Sequence, residues 1–382
     1  MATPWGLADV TCAKRNLVST HLPYNRLQYG AIFASRSPAQ LLISWLQTLA
    51  QLCQHRSHHT GLYTRHAQLR RMTIFGGDGS ASLRRRRADV DVDDYVKIAA
   101  APFGSGSQGA VFKAKHRVTG EGAVIKTFKN AHTGSREAWA LHRLQVNKHH
   151  RNIIGYKACS PCCKHIVLEL AEGVEMLEVV QRHGGIEDDV RVRGVFRQML
   201  AGVRHMHSSG LAHMDLKLEN LILTKEGVVK WLDFGLSVMH QTKHENGSWK
   251  REPVGPSGSK AYCAPEVLAG LSKDGFSADV WSLGICLFAA STGRFPFDEA
   301  SETDRRYCSF LEASHAGSST LRALYPKQNL PFSDGLASLV EGMLIVDPKH
   351  RFTLDQVRAH HWLVATSLRP TSVSPVSVTH AD

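Results

Sequence analysis

Four short stretches carry side chains able to handle a phosphate. "GSGSQGAV" at 104–111 sets glycines at 104, 106 and 109. Glycine lets a backbone approach a phosphate closely and aim its N–H groups inward, so Gly104, Ser105, Gly106 and Gly109 form a candidate cradle. Lys126, in "AVIK", follows Gly109 by seventeen residues. A lysine inside a fold needs a counter-charge. Glu137 is the only acid between Lys126 and Glu169, so a buried Lys126 would pair with it. Read alone, such a lysine is more often an exposed surface charge. "HMDLKLEN" at 213–220 then supplies Asp215, Lys217 and Asn220, and "DFG" supplies Asp233 thirteen residues beyond Asn220. Two oxygen donors, Asn220 and Asp233, suit Mg²⁺, which takes few protein ligands and leaves the remaining positions to water and phosphate.

These groups act together only if the chain brings them together. "YVKIAAAPFGSGSQGAVFKAKH" reads as strand, glycine-rich turn, strand, and "GAVIKTF" as a third strand carrying Lys126. "SREAWALHRLQVNK" has helical spacing, with Ala138, Leu141 and Leu144 in register, and this helix carries Glu137. "LILTKEGVVKWL" predicts a hairpin of 221–223 and 228–232 turning at 225–227. A hairpin returns its ends to one place, so Asp215, Asn220 and Asp233 should converge. "HIVLEL" reads as a short buried strand. Val192, Phe196, Met199, Val203 and Met206 lie on one helical stripe that Gly210 ends, and "ADVWSLGICLFAAST" is apolar on nearly every face, as in a helix inside a large core. Strands come early and helices late. That order predicts an α+β chain of two packed lobes, β-rich and then helical.

From about residue 95 to 363 the chain resembles a eukaryotic protein kinase. The motifs run in that family's order: glycine-rich loop, strand lysine, helix glutamate, catalytic loop, DFG, and APE at Ala264–Glu266, then "DVWSLG" and Arg351 in "DPKHRF". The resemblance implies a bilobal kinase fold, N-lobe 95–172 and C-lobe 173–363, with ATP and Mg²⁺ as cofactors. It implies that Gly104, Ser105, Gly106 and Gly109 cover the ATP phosphates. Val111 and Val124 would line the adenine, with Glu169 and Ala171 along its edge and Leu168 as gatekeeper; Glu175 would lie at the rim. Lys126, positioned by Glu137, would hold the α- and β-phosphates. Asn220 and Asp233 would bind the metal, Asp215 would orient the substrate hydroxyl, and Lys217 would neutralise the transferred phosphoryl group. Asp279 would brace the catalytic loop, and Glu266 and Arg351 would pair.

The substrate class follows from the same resemblance. Lys217 two residues after Asp215, with Ser259 standing where such enzymes bridge the two, is similar to the Ser/Thr pattern. Glu175 and Glu219 stand where basophilic members hold an arginine upstream of the phosphoacceptor. Ala289 replaces a further acid found in some of them, so the implied arginine preference is modest. The general look is closest to calmodulin-dependent and AMP-activated kinases. Met214 departs from the pattern. The usual arginine there pairs with a phosphorylated residue between DFG and APE, which methionine cannot do. Activity is therefore expected not to need such a clamp. Thr242, Ser248 and Ser257 remain candidate phosphosites acting another way.

The bulk numbers fit this reading. Apolar residues at 43% and charged residues at 21% describe a chain with a real core. Residues 1–87 hold twelve Lys/Arg against Asp9 and Asp78, so +10 of the net +12 lies there. The kinase-like body is close to neutral and is not expected to bind nucleic acid. Residues 1–94 read as a basic, poorly folded extension, and the Arg- and Ser-rich, acid-poor composition is compatible with an organellar transit peptide. The stretch "LLISWLQTLAQL" at 41–52 is too short for a membrane span and reads as an amphipathic helix. Eight cysteines in 382 residues are no disulfide framework and point to a reducing compartment, cytoplasm or nucleus. "CSPCCKH" at 159–165 sits at a strand–strand turn, where it would bind zinc, sense redox state, or simply turn the chain. Residues 364–382 read as a loose tail, and the protein is expected to be monomeric. Two further readings compete with an active Ser/Thr kinase: an ATP-binding pseudokinase serving as scaffold or regulator, and a targeting function resting on the basic arm.

Overall fold

The computed structural model describes residues 91–365, except 106–107, 147–148, 187, 244–248, 252–257, 273 and 326–332. Gly106, Ser248, Ser257, the arm through residue 90 and the tail from 366 lie outside the described residues.

The amino-terminal part is an antiparallel sheet in the order β1 (Tyr95–Lys97), β3 (Gly109–His116), β4 (Gly122–Phe128), β6 (His165–Glu169), β5 (Tyr156–Cys159), with β2 (Gly104–Ser105) also on β3. Two details differ from the sequence reading. The first strand stops at Lys97, and a separate two-residue strand, β2, pairs Gly104 with Val111. The run of small residues after Lys97 has no alternating pattern to continue a ladder, so the pairing breaks and resumes at the glycine loop. The extension read as reaching residue 94 is structured from Asp91. Val92–Asp94 forms a turn of 3₁₀ helix under a reciprocal Asp91–Asp94 capping box, and Arg117 donates to the Asp93 carbonyl. Helix α1 (Ala131–Val146) begins three residues after β4. It buries Ala138, Leu141 and Leu144, as their spacing requires.

The carboxy-terminal part is helical: α2 (Met176–His183), α3 (Asp189–Ser208), α4 (Pro265–Leu268), α5 (Gly275–Thr292), α6 (Arg305–His315), α7 (Thr320–Leu324), α8 (Asp334–Met343), α9 (Leu354–Ala359) and α10 (His361–Val364). Asp188 caps α3 through the Val190 N–H, and the predicted stripe from Val192 to Met206 is buried. Asp274 caps α5 by accepting from Phe276 and Ser277, and Gly293 at φ 68° ends it. Between its ends α5 is buried on every side, as its composition demands. The result is the two-lobed α+β arrangement expected above.

The predicted hairpin forms as β8 (Leu221–Thr224) and β9 (Val229–Trp231), joined on its outer edge by β7 (Gly173–Glu175). Trp231 is fully buried and donates from Nε1 to the Met199 carbonyl, which fixes the hairpin on α3. Among the described residues no helix is long and apolar enough to cross a membrane.

Candidate active site

Lys126 leaves the middle of β4 and reaches Glu137 on α1, with Nζ 2.8 Å from Oε1 and 2.7 Å from Oε2. They are eleven residues apart in sequence, and only two residues link β4 to α1. Asp233 Oδ1 lies 3.1 Å from the same ammonium. Burial by itself would lower the Lys126 pKa. The Glu137 and Asp233 carboxylates outweigh it, and the ammonium sits above its ordinary range, protonated at neutral pH. Asp233 has a backbone φ of 41°, and its Oδ1 also accepts the Gly235 N–H at 3.1 Å. Burial opposes its ionisation, yet Lys126 and that N–H hold it below the usual carboxylate range.

Around Asp215 the polar contacts are dense. Lys217 Nζ donates to Asp215 Oδ2 at 2.7 Å and to Ser259 Oγ at 2.9 Å. Ser259 gives both its N–H and its hydroxyl to Asp215 Oδ1, each at 3.0 Å. Asn220 Nδ2 donates to the Asp215 carbonyl at 2.9 Å and to Oδ2 at 3.2 Å. That occupies the amide nitrogen and leaves the amide oxygen as the atom of Asn220 that can ligate a cation. The Leu232 N–H donates to the Asn220 carbonyl at 2.8 Å, which seats Asp233, the next residue, beside Asn220. The donor set therefore fits a hard, oxygen-seeking cation: one amide oxygen and one ionised, partly exposed carboxylate.

The catalytic-loop backbone is held by Asp279 on α5. The N–H groups of His213 and Met214 donate to its Oδ2 and Oδ1 at 2.8 and 2.9 Å, and His207 Nε2 pairs with Oδ2 at 2.8 Å. To aim two successive N–H groups at one carboxylate, Met214 takes a φ of 66°. That conformation is uncommon for a residue with a Cβ. The Met214 side chain is buried in the helical lobe's core. Arg351, fully buried, makes a two-pronged pair with Glu266 at 2.7 and 2.9 Å and also donates to the Ile345, Ser277 and Val346 carbonyls.

The strands that flank the glycine loop border the same region. A Cβ at Gly109 would lie 1.7 Å from the Thr127 carbonyl oxygen, so only glycine lets β3 run this close to β4. Gly104 and Ser105 occupy β2; Val111 and Val124 are half-buried on β3 and β4, and Ala171 is half-buried just past β6. Leu168 is buried at the inner end of β6. Glu175 ends β7, and its carboxyl is pushed up to about 7, chiefly by burial and then by the nearby Glu219. Three contributors went unread in the sequence. Lys230 reaches Glu169 across the two lobes at 2.6 Å. Tyr262 gives its hydroxyl to Glu219 at 2.7 Å, and burial with that carboxylate keeps the phenol protonated far beyond its usual range. His207 completes the Asp279 cluster. None of the three lies in a motif, and each contact spans from 43 to 72 residues.

Residues 99–363 match the protein kinase domain. The chain belongs to that family. Among curated relatives it is 36% identical over 220 residues to the serine/threonine-protein kinase chk1 of Schizosaccharomyces pombe, covering 57% of this chain and 42% of that protein. It is 31% identical over 270 residues to mouse serine/threonine-protein kinase SIK1, covering 69% and 32%. It is 28% identical over 319 residues to protein kinase kin1 of S. pombe, covering 77% and 33%. The chain thus spans less than half the length of these relatives. As a protein kinase domain with kin of this type, it is related to the calmodulin-dependent and AMP-activated group.

Proposed function

We propose that this kinase domain transfers the γ-phosphoryl group of ATP to Ser or Thr hydroxyls of protein substrates. One observation carries the reading: Asp215 is held by Lys217, Ser259 and Asn220, while Lys126, Glu137 and Asp233 form a second charged cluster, tied to the first by the Leu232 N–H on the Asn220 carbonyl. ATP with Mg²⁺, when bound, supplies the phosphoryl group and the charge that offsets its oxygens. In this reading Asn220 and Asp233 hold the cation, and Lys126, kept protonated and aimed by Glu137, holds the nucleotide's phosphates. Asp215 orients the incoming hydroxyl and accepts its proton, and Lys217 faces the charge that develops on the transferred group. Gly104, Ser105, Gly106 and Gly109 cover the phosphates, and Val111, Val124, Glu169 and Ala171 bound the base.

Preference for Ser/Thr is supported by the Lys217–Ser259 bridge, and a modest preference for upstream arginine by the nearness of Glu175 and Glu219. The buried, apolar Met214 supports regulation without an arginine clamp on a phosphorylated loop. We place the protein inside the cell, acting as a monomer, with the basic stretch ahead of Asp91 as an extension and the stretch after Ala365 as a tail. The test is Mg-ATP-dependent phosphorylation of a generic serine peptide by the wild type and by Asp233→Ala. Activity in the wild type and its loss by at least ~100-fold in the variant is the expected result. Equal inertness of both would favour the binding-only reading instead.

A further inference from the structure

Gln108 carries a polar side chain that none of the roles above uses. The paired strands β3 and β4 set out the cleft in order. Val124 pairs with Leu168 of β6, at the end that borders the base in the reading above. Val111 then faces Lys126, and Gly109 faces Phe128. Gln108 comes one step beyond, where its carbonyl accepts the Lys129 N–H at 2.9 Å. At about 3.4 Å per residue its backbone lies roughly 10 Å along the strand from Val111. It therefore stands past Lys126, on the side away from the base.

The Gln108 side chain turns inward from there. The point where a Cβ on Gly235 would stand is 3.2 Å from Asp233 Oδ1, 3.3 Å from Gln108 Oε1 and 3.4 Å from Glu137 Oε2. The amide thus reaches the spot bordered by the two carboxylates that surround Lys126. Those carboxylates are committed, with the Lys126 ammonium 2.7 Å from Glu137 Oε2 and 3.1 Å from Asp233 Oδ1. The amide is not. Among the described residues it takes no hydrogen-bond partner, and Gln108 is exposed. A carboxamide offers two N–H donors and carries no charge. Beside two carboxylates and one ammonium, it is a donor that a phosphate oxygen can use without changing the charge of the cluster.

We propose that Gln108 is a phosphate-binding residue of this cleft, its side-chain N–H donating to an oxygen of the nucleotide's terminal phosphoryl group. Its place past Lys126 assigns it the far end of the phosphate chain. Its inward fold sets it beside Asp233, the carboxylate read above as holding the cation. Gln108 gives and takes no proton; it is a positioning residue that fixes the direction of the group to be transferred. The inference rests on the reading that the cleft takes Mg-ATP. Backbone N–H groups of the loop can cover a phosphate whatever side chain stands at 108, so the claim concerns the amide alone.

The test titrates the full chain, in the presence of Mg²⁺, by calorimetry against the β,γ-imido analogue of ATP and against ADP. Wild type, Gln108→Ala and Gln108→Glu are compared, and the wild type should bind both nucleotides. Gln108→Ala should lose roughly tenfold in affinity for the triphosphate analogue and less than about twofold for ADP, as the removal of one hydrogen bond to a charged group requires. Gln108→Glu keeps the length of the side chain but sets a carboxylate beside Asp233, Glu137 and the phosphate. It should bind the triphosphate more weakly still than Gln108→Ala. A side chain that merely shaped the loop would rank the two variants the other way. Thermal midpoints should match the wild type in both. Equal affinity of wild type and Gln108→Ala for the triphosphate, equal losses for the two nucleotides, or tighter binding by Gln108→Glu than by Gln108→Ala overturns the proposal and leaves the Mg-ATP reading standing. A wild type that binds neither nucleotide overturns both.

Discussion

Among single residues, Met214 and Glu175 depart most from what their types would ordinarily do. Met214 spends an unfavourable φ, of the order of 1–3 kcal/mol, to give its N–H to Asp279. Its side chain is core, so position 214 itself offers no cation to residues 234–263, and Asp279 orders the catalytic loop from below. Phosphatase treatment should accordingly leave peptide kinase activity within about twofold of the untreated protein, since no charge pair is lost. Activity assays before and after treatment decide it. Glu175 makes a pH-dependent prediction. With its carboxyl pushed up to about 7, chiefly by burial, it is mostly neutral at pH 6 and mostly ionised at pH 8. The ratio of kcat/KM for an arginine-bearing peptide over its alanine counterpart should therefore rise severalfold from pH 6 to pH 8, and stay flat in Glu175→Gln. The linked stability runs the other way. A raised carboxyl favours the folded state while protonated, so that contribution is present below the ordinary value of 4.5 and is lost as pH climbs through 7.

At the scale of elements, the site depends on how closely strands and helices approach. Gly109 is the tightest case. Gly109→Ala would drive its methyl group into the Thr127 carbonyl and pry β3 from β4, on which Lys126 sits. Such overpacking costs roughly 1–3 kcal/mol, and here it also displaces Lys126. A lowered thermal midpoint together with weaker binding of a fluorescent ATP analogue is the expected result. Most of these elements could be read from their residues. The period of Ala138, Leu141 and Leu144 set the buried face of α1, and "LILTKEGVVKWL" contained its own turn, so the meeting of Asp215, Asn220 and Asp233 followed from local pattern. Strand β2 was not legible, because two residues beside a glycine loop leave no periodicity. Nor were the contacts of Lys230, Tyr262 and His207: each is made between segments far apart in sequence, and nothing local marks them.

For the molecule as a whole, the Glu266–Arg351 pair ties α4 to the segment after α8 in the middle of the helical lobe. Arg351 has no exposed side-chain surface, so Glu266→Ala would strand a buried guanidinium. A loss of about 3–5 kcal/mol is expected, read as a shift in the midpoint of chemical denaturation with unchanged slope. The two lobes are also joined by charge. Glu169 closes the last strand of the β-rich lobe, Lys230 lies on the hairpin of the helical one, and 2.6 Å separates their charged atoms. That contact is an ionic clasp across a hinge, and it is only partly shielded from water. Dissolved ions compete with it, so the mouth of the cleft should breathe more readily as ionic strength rises. In stopped-flow experiments nucleotide would then leave faster in high salt, and Lys230→Met would leave that rate fast and indifferent to salt.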